Sequence, residues 1–148
     1  MMKFLMMSII IMVLMSCTKD DAKTPEGLLT MFAKDITTKK LDKEYFDKYT
    51  SGKMLESIEQ LNEEEFEKFS NLSNIKDPKI TISKKNCSDD KCTLTYIVKY
   101  DHHVDKAKEF ESEVKKLATV IKDGETWKIE EVTNLKTFHE AIKPIEVQ

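Results

Sequence analysis

The chain contains no arginine. No planar guanidinium fork is therefore available to grip a carboxylate or phosphate through two parallel hydrogen bonds. Glycine is scarce, at three residues in 148, and no glycine-rich loop is present to cradle nucleotide phosphates. The Gly-x-Ser-x-Gly turn of a hydrolase nucleophile and the His-Glu-x-x-His helix of a zinc protease are also missing. Positive charge is not concentrated: 24 lysines stand against 27 acids, for a net charge of −3. That balance argues against nucleic acid as a partner, because phosphate binding needs clustered cations. No apolar run reaches the about 20 residues of a membrane-spanning helix. There is no internal repeat and no low-complexity tract. These gaps leave no catalytic residue, metal ligand or cofactor to assign.

What is present begins at the N-terminus. Met1-Met2-Lys3 is a short positive start, and Phe4 to Met15 is apolar except for Ser8. Met1, Met2, Met6, Met7, Met12 and Met15 lie in this stretch, so six of the eight methionines belong to targeting and not to the fold. Thr18-Lys19-Asp20-Asp21 follows at once, without a basic stop-transfer flank. Leu14-Met15-Ser16-Cys17 resembles the lipobox of bacterial lipoproteins, with Met15 larger than is usual at its place. The resemblance implies a signal peptide over 1–16, cleavage before Cys17 and a diacylglycerol on the Cys17 thiol. Acyl chains add about 0.8 kcal/mol per buried methylene, so two or more give firm membrane anchorage. Thr18, which is not aspartate, implies the outer membrane in a two-membrane cell; otherwise the anchor lies in the outer face of the cell membrane.

Residues 17–23 read as a lipidated tether and 24–148 as one α+β domain, a size that can bury a real core. Thr24-Pro25-Glu26 is a helix start, with a cap, a proline at the first turn and an acid beside it. Leu28, Leu29, Phe32, Ala33 and Ile36 then follow at helical spacing, predicting a helix over 25–39. Further helices are expected at 42–49, around Met54 to Leu61, and from Asn62 through Phe66 and Phe69 to Leu72. Glu63-Glu64-Glu65 is read as the dipole-favoured first turn of the last of these.

After Asp77-Pro78 the period changes to two. Lys79 to Ser83 and Cys92 to Tyr100 alternate as strands of a hairpin around Ser88 to Lys91. Cys87 and Cys92 remain once Cys17 is lipidated, and an exported pair is most simply a disulfide. The closed loop is short, so chain entropy gives the bond only about 2 kcal/mol. Direct pairing of Cys87 with Cys92 would put Ile80 and Ile82 on the face away from Leu94, Tyr96 and Val98. A one-residue slip restores a shared face, so a bulge is expected near Lys84 to Asn86. Asp101 to Lys108 reads as a polar loop. Residues 104–121 fit either a helix face or a strand; strands at 109–122 and 125–133 around the Asp123-Gly124 turn are the preferred reading. Thr137 to Lys143 suggests a short terminal helix.

Helices first, then an antiparallel sheet ending in Asp123-Gly124-Glu125-Thr126-Trp127-Lys128-Ile129, resemble small bacterial lipoproteins of the nuclear-transport-factor-2-like (cystatin-like) superfamily. The likeness covers Thr24 to Val132. It implies about four curved strands wrapped around helices as a cone that can enclose a cavity. Phe32, Tyr49, Tyr96 and Trp127 are the candidate cavity-lining residues. Fold alone does not choose a function.

The leading expectation is a non-enzymatic envelope domain, held at the membrane by its lipid, that binds a protein or small apolar ligand through its cone or sheet. One alternative is a cone enzyme using a Tyr/Asp or Tyr/His acid–base pair, as resemblance to ketosteroid isomerase implies. The acids, however, fall on positions read as exposed, where their pKa values suit that task poorly. Another is a structural or toxin-neutralising surface lipoprotein. His102 and His103, beside Asp101 and Asp105, read as solvated loop histidines. A shared metal site is awkward there, because neighbouring extended residues point to opposite faces.

Overall fold

The structure is a computed structural model, and the residues it describes are 21–70, 75–104 and 107–141. The signal segment, Cys17 and Leu72 lie outside them. Asp21–Lys23 forms one 3-10 turn with Ala22 buried, so the folded body starts within the expected tether.

Helix α1 spans Pro25–Thr38, and the Thr24 side chain accepts from the Gly27 N–H at 3.1 Å as its cap. Helix α2, Lys43–Tyr49, is capped by Asp42, which accepts from the Tyr45 N–H at 2.8 Å. Helix α3 covers Gly52–Glu59. Gly52 has φ +52°, and a Cβ there would sit 3.1 Å from the Glu130 side chain. Both facts favour glycine at this position. Helix α4, Glu63–Ser70, opens on a reciprocal capping box: Glu65 N–H donates to Asn62 Oδ1 and Asn62 N–H donates to Glu65 Oε2, each at 3.0 Å.

Four strands follow: β1 Lys79–Cys87, β2 Lys91–Val104, β3 Ala107–Asp123 and β4 Thr126–Ala141. They form one open antiparallel sheet in the order β1-β2-β3-β4. The fold is therefore α+β, with α1 packed across all four strands. Cys87 sits opposite Cys92 with Cα atoms 4.0 Å apart, and the sulfurs are at disulfide distance. The register slips between Ile82 and Lys84, so Ile80 faces Val98 and Ile82 faces Tyr96. The two demands on this hairpin are met by a bulge one residue earlier than expected.

Two expectations are corrected. Asp101 to Val104 and Ala107 to Lys108 are strand and not loop, because β2 runs on to Val104 and β3 begins at Ala107; residues 105–106 lie outside the described residues. Thr137 to Ala141 is not helical but the end of β4, paired with Phe110 to Val114. Cross-strand pairing of β3 outweighs the local helical preference there. β4 carries two register shifts, opposite Lys115/Lys116 and Thr119/Val120, which bend it against β3.

The core has two parts. At the hairpin end of the sheet Cys92, Leu94, Ala118, Val120, Trp127 and Ile129 are buried against Leu28 and Leu29 of α1. Among the helices Phe46 is fully buried, with its ring centre 6.2 Å from Phe32, 5.8 Å from Tyr45, 5.9 Å from Phe66 and 5.5 Å from Phe69.

Candidate functional site

A groove of about 1220 Å³ opens where the helices end over the sheet. Its roof is apolar: Phe32 and Ile36 from α1, Met54 from α3 and Phe69 from α4. Its floor is the helix-facing side of β2, β3 and β4, read as rows across the strands. Val98, Val114 and Thr137 form one row; in the other, Val132 lines the groove while its row partners Leu94 and Ala118 are fully buried outside the lining. Between them lies a polar row of Tyr96, Lys116 and Asn134, each the register partner of the next. Residues directly opposite on one face have Cβ atoms about 5 Å apart, so these three side chains can reach one ligand group.

The electrostatics of that row are unusual. Lys116 is half-buried and its amine is held below the ordinary lysine range by desolvation, with no compensating carboxylate among the described residues. Tyr96 is buried, and burial pushes its phenol up, so it stays a neutral hydrogen-bond donor. Asp101 is the one acid among the described lining residues, and Lys108 holds it at 2.8 Å.

Of the candidate lining residues, Phe32 and Tyr96 are in the groove. Tyr49 and Trp127 lie outside its lining. Tyr49 packs on Tyr45 with ring centres 4.8 Å apart, and Trp127 is buried in the hairpin-end core. The sheet is longer than the helical cover, so aromatic residues along it serve different neighbourhoods.

Beyond the polar row, β2, β3 and β4 bring together His102, Ser112 and His139. The fully buried Ser112 hydroxyl lies 2.9 Å from His102 Nε2 and 2.6 Å from His139 Nδ1. His102 stacks on Phe110 with ring centres 3.9 Å apart. It is therefore half-buried in a strand and not a solvated loop residue. His103 follows a register shift and is exposed. A hydroxyl donates one proton only, so at least one imidazole must donate to Ser112. The cluster ties three strand ends together, with its serine shut off from solvent. Among the described residues no group of three or more His, Cys, Asp or Glu side chains is placed to hold a metal.

A Tyr/Asp pair exists, but away from the groove. Tyr45 donates its hydroxyl to Asp35 Oδ2 at 3.0 Å, while Lys39 sits 2.6 Å from Asp35 Oδ1. Both carboxylate oxygens are engaged, and burial with the Asp35 charge pushes the Tyr45 phenol up. The arrangement clamps α1 to α2 and offers no free base.

No family model, curated protein or solved structure matches this chain. The site is argued from its own residues. Sequence reasoning missed Asp35, Ser112, Lys116, Asn134 and His139. For Lys116 and Ser112 a signal existed: Ser112, Val114, Lys116, Ala118 and Val120 share one face once a strand is chosen for 109–122. The competing helix reading of that segment obscured it.

Proposed function

We propose that this protein is a lipid-anchored, extracytoplasmic binding domain that holds a small, largely apolar ligand in its groove and performs no chemistry on it. The observation that carries this reading is the groove itself: about 1220 Å³ under a largely apolar roof, with a polar row across its floor and a polar end at Asp101, His102 and His103. Ligand sites are concave, mostly apolar and supplied with a few convergent polar groups. The export-type segment ending in Leu14-Met15-Ser16-Cys17 supports placement at a membrane surface outside the cytoplasm. Helices laid on an open antiparallel sheet are compatible with the nuclear-transport-factor-2-like cone. A non-enzymatic role is favoured because Asp35 is fully engaged and Ser112 is sealed from solvent.

Two measurements test the reading. Fractionation of expressing cells should find the protein in membranes and a Cys17→Ser variant released from them; a variant that stays membrane-bound removes the anchor. Titration with the neutral fluorophore N-phenyl-1-naphthylamine should show saturable binding near one per chain. Fluorescence that rises without saturation, or not at all, removes the binding role.

A further inference from the structure

We infer that the groove is specific for an amphipathic monocarboxylate, with the anionic head on the Tyr96–Lys116–Asn134 row and the apolar body under Phe32 and Phe69. This rests on the binding role proposed above and names its ligand class. Charge complementarity selects this ligand. The Lys116 ammonium is partly withdrawn from water in the groove floor, and no acid in the described residues compensates it. Asp101, which could have done so from the rim, is occupied by Lys108. A ligand that brings one negative charge satisfies Lys116, whereas a neutral ligand leaves it desolvated.

The flanking groups narrow the chemistry. Tyr96 remains a hydroxyl donor because burial disfavours its anion, and the Asn134 amide adds a donor on the other side of Lys116. Two neutral donors around one ammonium suit a head with two acceptor oxygens and a single charge. Of the two lysines in the described lining, Lys116 is half-buried and Lys76 is exposed, so the interior offsets a single negative charge. Around the polar row Val98, Val114 and Val132 from the strands and Phe32, Ile36 and Phe69 from the helices offer hydrocarbon to the ligand beyond its head.

The test is calorimetric titration of the full chain, carrying Cys17→Ser to keep its own acyl groups out of the assay, with decanoate and with decanol at neutral pH. Decanoate is expected to bind about tenfold or more tightly than decanol. Lys116→Gln should bring the ratio of the two affinities to near one, and Lys116→Arg should restore a preference for decanoate. Circular dichroism and a thermal melt confirm that each variant is folded. Equal affinities in the parent, or a preference that survives Lys116→Gln, overturn the carboxylate assignment while leaving the apolar binding role intact. Binding of neither compound overturns both.

Discussion

Lys116 is a residue that the fold would be better off without, and that gives a sharp test of the groove. Replacement by methionine keeps a flexible, unbranched chain of similar length and removes the ammonium. The gain follows from burial. A polar group withdrawn from water without a partner costs roughly 1–3 kcal/mol in protein mutants, and Lys116 is only half-buried, so about 1 kcal/mol is expected. For a domain of this size that corresponds to a melting temperature higher by about 4 °C. Urea denaturation at a series of pH values separates this cause from ordinary repacking. The folded-state pKa of Lys116 lies below the value of 10.5 that the unfolded chain shows. Between those two values the unfolded state binds the extra proton, so the parent protein gains stability as pH rises through the window. The advantage of Lys116→Met should therefore be largest near neutral pH and fade toward pH 10.5. Tyr96, Tyr100, Asp101, His102, His103 and Lys76 face the same groove. They are common to both proteins and largely cancel in the difference, and burial keeps the Tyr96 phenol neutral through the window. A methionine variant less stable than the parent, or an advantage independent of pH, refutes the reasoning.

Phe46→Ala should cost about 3–5 kcal/mol, because a fully buried ring touching four other aromatic rings is lost and α1, α2 and α4 cannot all close the gap. The check is the urea midpoint, and a loss under about 1 kcal/mol would show that the helices repack freely. Reducing the Cys87–Cys92 bond with dithiothreitol should cost no more than about 2 kcal/mol, since the closed loop is short. The urea midpoint checks it, and loss of cooperative unfolding would mean that the bond holds more than its own hairpin.

The helical half was legible because its caps are local chemistry. Thr24-Pro25, Asp42 and the Asn62/Glu65 pair name helix starts without reference to the rest of the chain. The bulge in β1 was also legible, because the cysteine pairing and the common apolar face of Ile80 and Ile82 cannot both hold in an unbroken ladder. The far end of the sheet was not. Residues 101–104, 107–108 and 137–141 are polar and lack strong strand preference, and they are strands because β2, β3 and β4 pair with one another there. That information is non-local. The same limit hid His139, which meets Ser112 only through a register 27 residues apart in sequence.

The position of the groove follows from a mismatch of lengths. Strand β3 has 17 residues and β2 has 14. At about 3.4 Å per residue the longer strand extends nearly 60 Å. Helix α1 has 14 residues, and at about 1.5 Å per residue it covers only some 20 Å. Helix α1 alone therefore cannot roof the whole sheet. Where cover is complete, around Ala118, Val120 and Ile129, the floor is dry and filled. Where it ends, near Phe32 and Ile36, the floor carries Tyr96, Lys116 and Asn134. Farther out, stacking of His102 on Phe110 and the shared Ser112 hydroxyl hold the strands without helical cover. An interior lysine is tolerable at that boundary and nowhere else along the row of strands. Deeper, it would lose water altogether; farther out, it would face solvent and exert little selectivity. The edge of the helical cover is thus the place where one cation can be desolvated enough to discriminate a charged ligand from a neutral one without unfolding the domain.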